Sequence, residues 1–392
     1  MKTQPVDTRA IVLDVESYVR RHLPQYMEEL SYLCAIDSNS YYKPGLDEVA
    51  AYLATRMRRL GMQVTVEENE TAGNDVLGVL YGDGQGSVVL VGHIDTVYPV
   101  GTAVDRPVRV EEDVIYGPGV CDMKGCVLSA IYAIEALLAT NFRSFGEIRL
   151  LCVSDEEISQ RHSEDLILRV CTGCQKALVL EAGRANGDIV SARKGSAWYT
   201  LTARGRSAHT GVEPEKGRNA IVEIMHQMLQ FLNLTGWREG ITINPGVITG
   251  GITPNVVPDF AQVRFDLRYL RIADRIATEQ RWREMMKHSF IPDVELTLEL
   301  EPYRKEPMEC TPETKKLAKQ AQEVADMLGF TLHDALTGGA SDASFTSELG
   351  IPTLDGLGPV GGLDHSPQEY ILMSSIAPRA ALLAGLLMTT DA

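Results

Sequence analysis

Residues 88–99, VVLVGHIDTVYP, decide how this chain is read. Four apolar residues in a row, closed by a glycine, mark a strand buried on both faces of a sheet, as parallel strands are. The run then delivers a histidine and, two positions on, an aspartate: His93 and Asp95. Two more apolar runs end in the same manner. EIRLLCVSDEE stops at Glu156 and Glu157, and KALVLEAG at Glu181. In a doubly wound sheet the carboxyl ends of the strands line one crevice, so these residues are expected to converge although they are far apart in the chain.

Outward from that strand, residues 10–33 and 46–60 carry apolar residues at helical spacing, and 62–67, 74–81 and 87–92 read as strands. GDGQG at 82–86 is followed by another strand and not by a helix, which makes it a hairpin turn and no phosphate loop. Residues 124–140 put Val127, Ile131, Ile134 and Leu138 on one helical face. With a further helix near 162–171, the alternation predicts an α/β fold: a mixed, mostly parallel sheet sandwiched by helices. From 195 to 306 the pattern becomes a self-contained βαββαβ set, expected to be an inserted domain. Residues 1–194 and 307–392 are then the two parts of the main domain, the second with a helix at 312–328, strands at 331–335 and 352–356, and a closing helix at 368–389.

The composition suits this plan. With 392 residues, 44% hydrophobic and 23% charged, the chain is globular and long enough for two domains. A net charge of −16 argues against nucleic acid and anionic membrane surfaces as partners. The N-terminus lacks the apolar core of a signal peptide, and the seven cysteines are scattered, so a cytoplasmic location is expected unless a leader was removed. The apolar stretch 380–388 is too short to span a bilayer.

A single His or Glu after a strand is most often a satisfied turn residue. Several together, all of ligand type, make a metal constellation. Asp95 can reach the ring of His93, the geometry by which a carboxylate orients a ligating imidazole. Asp122, in YGPGVCDMKGC, stands just before the 124–140 helix, where capping alone would explain it. His365 lies in a second glycine-rich loop, GPVGGLDHSPQEY.

GHIDTV, YGPGVCDMKG, SDEE, LEAG, RSAHTGVEPEKGRNAI, GGASDAS and GLDHSPQEY occur in the order and spacing of the M20 family of dinuclear zinc peptidases and deacylases. The chain resembles the glutamate carboxypeptidase branch of that family over about residues 10–390. The resemblance implies a zinc exopeptidase-like fold with an inserted lid and dimerisation domain, and two Zn2+ ions, with Co2+ or Mn2+ as alternatives for such ligands. It further implies that His93 binds one ion, Asp122 bridges both, Glu157 and Glu181 bind one each, and His365 binds the other. Asp95 would support the histidine, Glu156 would be the general base acting on a metal-bridging water, and the Asp122–Met123 peptide would be cis. His209 in SAHTG and Asn255 in TPNVVP would reach substrate from the inserted domain, the histidine from the partner of a homodimer. Arg264, Asp266 and Arg268 alternate with apolar residues on one strand face, ordinarily a solvated one. By resemblance Arg268 would grip a substrate carboxylate, and GGASDAS at 338–344 would line the same pocket.

Two departures from the family pattern stand out. Ile158, Ser159 and Gln160 follow the acidic run where many relatives have a Gly-Ser pair, and Cys126 replaces a frequent glycine. The loop at Glu156 is therefore expected to differ in shape. Elsewhere the reading is plain: CTGC at 171–174 is a lone CxxC, and His22, His162, His226, His288 and His333 have no motif around them. Three functions compete. First comes a metallo-carboxypeptidase that cleaves the amide bond of a C-terminal acidic residue, glutamate foremost, in a peptide or N-acyl conjugate. The second is an N-acyl amino acid deacylase of the acetylornithine or succinyl-diaminopimelate type. The third, a non-catalytic metal-binding scaffold, predicts a lost ligand or base, and none is missing.

Overall fold

The computed structural model describes residues 7–389, which divide into two compact units: residues 7–191, 310–336 and 341–389, and residues 192–309 with 337–340. The changes of unit at 191/192 and 309/310 fall three residues outside the expected 194/195 and 306/307.

The first unit is built on a six-stranded sheet in the order Gln63–Glu67, Asp75–Tyr81, Glu147–Val153, Ser87–His93, Lys176–Val179, Thr353–Leu354. The first two pairings are antiparallel and the other three parallel. Every residue of Ser87–His93 after the first is buried, as a central parallel strand covered on both faces requires. Register then does the positioning. His93 pairs with Val153 and Val91 with Val179, so the chain leaves all three strands at one edge, close to His93, Glu156 and Glu181.

Glu147–Val153 lies between Asp75–Tyr81 and Ser87–His93, so GDGQG is a connection across a strand and not the hairpin turn expected. Periodicity shows that two strands flank a turn; it cannot show that a third, from 60 residues on, will part them. The helical stretch 10–33 is two helices, Thr8–Arg21 and Leu23–Cys34, because Pro24 lacks the N–H that a continuous helix needs. The core gathers those helices, Lys43–Arg59, Pro312–Leu328 and Met373–Met388 around Lys124–Ala139, whose first eleven residues are all buried. That helix seats its first turn tightly: a Cβ on Gly125 would lie 2.2 Å from the Val120 carbonyl oxygen.

A small second sheet, with no counterpart in the sequence reading, joins Gly361–Gly362, Tyr370–Leu372, Val114–Tyr116 and Arg109–Glu111. Its strands have two or three residues, too few for a period to show. The sheet holds the His365 loop beside the segment that leads from Tyr116 to Asp122.

The second unit is a four-stranded antiparallel sheet in the order Thr242–Gly250, Phe260–Tyr269, Gly195–Arg204, Glu295–Lys305, with helices Ala220–Leu232 and Ile272–Met285. Alternation along Phe260–Tyr269 turns Val263, Phe265 and Leu267 inward, where Phe265 meets Tyr199, Phe231 and Trp282 in an aromatic cluster.

Candidate active site

Asp122 is the hub. Its Oδ1 lies 2.9 Å from Nε2 of His93 and its Oδ2 lies 3.1 Å from Nε2 of His365. His365 Nε2 is also 3.2 Å from Glu157 Oε2. Two ligand groups result: His93, Asp122 and Glu181, and Asp122, Glu157 and His365, with the donor atoms of each within 4.8 Å of one another. The peptide Asp122–Met123 is cis.

Three carboxylates face two imidazoles here, and in the metal-free chain protons offset the charge. Burial alone would lower the pKa of His93, but its hydrogen bonds to Asp122 and Asp95 outweigh that and hold it well above the usual imidazole range. Hydrogen bonds to Asp122 and then Glu157 push His365 up to about 11. Burial raises Asp122, yet the two imidazoles bring its carboxyl below the ordinary carboxylate value. Burial pushes Glu157 up to about 7 against the pull of His365. Oε1 of Glu157 is buried with no hydrogen-bond partner, a position polypeptide alone leaves costly. Cations fit this donor set: carboxylates and imidazoles are ligands for divalent first-row metals, and ions would give the orphaned oxygen and the excess negative charge a partner.

Asp95 lies outside the two groups and fixes both from behind. His93 Nδ1 donates to the Asp95 carbonyl oxygen at 3.0 Å and stands 3.2 Å from its Oδ1. The same carboxylate accepts the N–H groups of Glu156 and Glu157 at 3.2 and 3.1 Å, and Ser40 Oγ at 2.7 Å. It therefore sets the turn of the acidic pair as well as the imidazole. Glu156 sits in the turn Glu156–Ile158, adjacent to a ligand and in neither ligand group.

Three residues shape the site through contacts the sequence reading did not assign. Glu369, 1% exposed, accepts the N–H groups of Cys121 and Asp122 on one oxygen and those of Gly119 and the Tyr98 hydroxyl on the other, shaping the loop that presents Asp122. Its only signal was membership of GLDHSPQEY, four residues after His365. Gln160, in the loop expected to differ, and Asp342, in GGASDAS, meet beneath Glu156, a contact neither residue type announces.

The remaining predicted residues lie in the second unit. His209 and Asn255 sit on adjoining segments, since His209 bridges to Val256 and Thr210 donates to the Asn255 carbonyl. His209 Nδ1 accepts the Gly211 N–H at 3.1 Å, so in the neutral ring Nε2 carries the proton. Asn255 Oδ1 accepts Thr253 Oγ at 2.9 Å, which directs its amino group away. Arg264, Asp266 and Arg268 do share a face: Arg264 forks onto Glu301 at 2.8 and 2.6 Å, and Arg268 Nε donates to Asp266 at 2.7 Å. Of GGASDAS, residues 338–340 belong to the second unit and 341–344 to the first. The CTGC thiols are buried, and Cys174 donates to the Val170 carbonyl.

Two groups that could each hold a metal ion thus share the Asp122 carboxylate, with Glu156 beside them, at the edge of a helix-covered sheet. This chain belongs to peptidase family M20/M25/M40, which it matches over residues 89–389, and is an M20-type metallopeptidase. Carboxypeptidase G2 of Pseudomonas sp. (strain RS-16) is 28% identical over 375 residues, 94% of this chain and 90% of that protein. A succinyl-diaminopimelate desuccinylase of Alkalilimnicola ehrlichii is 30% identical over 319 residues, 76% of this chain and 82% of that protein. Among solved structures, the fold matches an aminopeptidase of Bacillus cereus with a TM-score of 0.78 at 22% identity, covering 93% of this chain and 98% of that one. Among the described residues no helix is long and apolar enough to cross a membrane.

Proposed function

We propose that the protein is a dinuclear-metal carboxypeptidase that cleaves the amide bond before a C-terminal acidic residue, glutamate first, in a peptide or N-acyl conjugate. The observation that carries the reading is Asp122 held between two histidines, each oxygen serving a separate ligand group. His93, Asp122 and Glu181 would hold one ion, and Asp122, Glu157 and His365 the other, with Zn2+ the first candidate. Bound there, such ions polarise an amide carbonyl and bring the pKa of a water to about 7.

The chain's own residues do the rest. The Glu156 carboxylate takes the water's proton as the carbonyl is attacked and returns it to the departing amine nitrogen. Asp95 keeps the proton of His93 on Nδ1, so that Nε2 stays available as a ligand. His209 Nε2–H and the Asn255 amino group donate to the oxyanion, and Arg268 binds the substrate carboxylate once it exchanges Asp266 for it. The second unit is the lid and dimer domain of a soluble homodimer. In support, its edge strand Thr242–Gly250 exposes Val247 and Ile248, and Met225 and Leu229 are exposed on helix Ala220–Leu232.

A deacylase of the succinyl-diaminopimelate type is the second reading, favoured by the desuccinylase relatives. A hydrolysis panel separates the two: N-acyl glutamates, C-terminal glutamyl dipeptides, acetylornithine and succinyl-diaminopimelate, offered to zinc-reconstituted enzyme. Glutamate release is expected to dominate kcat/KM, and preference for acetylornithine or succinyl-diaminopimelate would overturn the ranking.

A further inference from the structure

The turn after Glu156 has an unusual backbone. Ser159 and Gln160 follow the turn Glu156–Ile158 at φ 70° and 48°, two successive non-glycine residues in the left-handed region. L residues stay there only where their surroundings enforce it. The enforcement is visible: the Gln160 N–H donates to the Asp155 carbonyl at 2.9 Å, while the Asp155 carboxylate holds the next turn through the His162 N–H and the Ser163 hydroxyl. As a result the Gln160 side chain points inward and is 1% exposed.

Its Nε2 donates to Glu156 Oε1 at 3.1 Å and to Asp342 Oδ1 at 2.8 Å. Only the amino end of the amide can sit there, because a carboxamide oxygen would face two carboxylate oxygens with no proton between them. Gln160 Oε1 is left buried without a partner, so the side chain keeps this orientation at the expense of its own acceptor. An isolated glutamate samples several rotamers, whereas a general base must meet its proton at hydrogen-bond distance. A neutral amide orients the carboxylate without adding a charge to a cluster already balanced for cations.

We propose that Gln160 is a positioning residue for the general base: its carboxamide ties Glu156 Oε1 to Asp342 and so fixes where the carboxylate stands. The inference rests on the reading of Glu156 as the base. The Gln160→Met variant keeps length and apolar volume and deletes the donor. Its kcat is expected to fall about 10- to 100-fold with KM within about twofold, as a base misplaced by roughly an ångström would give. Titration of the metal-free chain with zinc should still reach two ions, since Gln160 touches no ligand. In a Glu156→Gln background the same change should alter the residual rate by less than about twofold, because nothing remains to be positioned. Should Gln160→Met not fold, Gln160→Gly, at ease at positive φ, carries the same expectations. An unchanged kcat, an equal loss in both backgrounds, or loss of a metal ion would overturn the positioning role alone. Undiminished turnover by Glu156→Gln itself would instead remove the base, and the positioning role with it.

Discussion

At Asp122 one carboxylate does two jobs, and its neighbours show how little slack it has. Each oxygen faces a different imidazole, and Glu369 fixes the backbone behind it through the Cys121 and Asp122 N–H groups. Replacing Asp122 by Ala should therefore empty both ligand groups, whereas Glu181→Ala, which touches one, should leave the other with its three donors. Metal analysis after dialysis is expected to give near zero ions per chain for the first variant and about one for the second. Equal loss in both would mean that Asp122 is not shared. The candidate ligands could be picked out because each ends an apolar run or stands in a glycine-rich motif. The contacts of Glu369, Gln160 and Asp342 could not be, because they act on other side chains and loops and leave no period or spacing behind.

Elements position the site through their ends, and one strand start carries a measurable charge effect. Asp75 opens Asp75–Tyr81, is buried, and accepts both the N–H and the hydroxyl of Ser154. Burial, opposed by the Ser154 hydrogen bonds and reinforced by Asp155 and Asp95, pushes its carboxyl from 3.8 up to about 7. The folded chain thus holds a proton that the unfolded chain releases between those values. Stability from this group is complete below about pH 4 and is lost as pH rises through about 7. Asp75→Asn, which cannot ionise, should gain on the wild type by on the order of 2 kcal/mol between pH 5 and pH 8. Denaturant unfolding of the metal-free chain at the two pH values measures this, and a pH-independent difference would show that Asp75 does not retain the proton. Among the elements themselves, the long buried strands and amphipathic helices were readable, while the two- and three-residue strands on either side of the His365 loop exist only through their partners.

For the whole molecule, the exposed edge of the second unit is the feature with a consequence. Ile248 is 62% exposed on strand Thr242–Gly250, and Met225 and Leu229 are exposed on the neighbouring helix. Ile248→Glu places a charge in that apolar surface, and sedimentation is expected to show it shifting the proposed dimer to monomers. If His209 serves the partner's site, kcat should fall with the dimer fraction. A wild type that sediments as a monomer would remove the dimer from the proposal.

What the sequence determined by itself was local and chemical: buried strands that end in ligand-type residues, an inserted βαββαβ segment, and motifs whose order marks the family. Each follows from a repeat of two or 3.6 residues, or from a residue type at a fixed offset. The tertiary structure decided what depends on pairing across long separations. It put Glu147–Val153 between two strands that are neighbours in sequence, set the parallel register that aligns His93 with Glu181, and closed Gln160 onto Glu156 and Asp342. Strand order and side-chain closure are settled by burial and hydrogen bonding summed over the whole core, and no stretch of chain carries that sum alone.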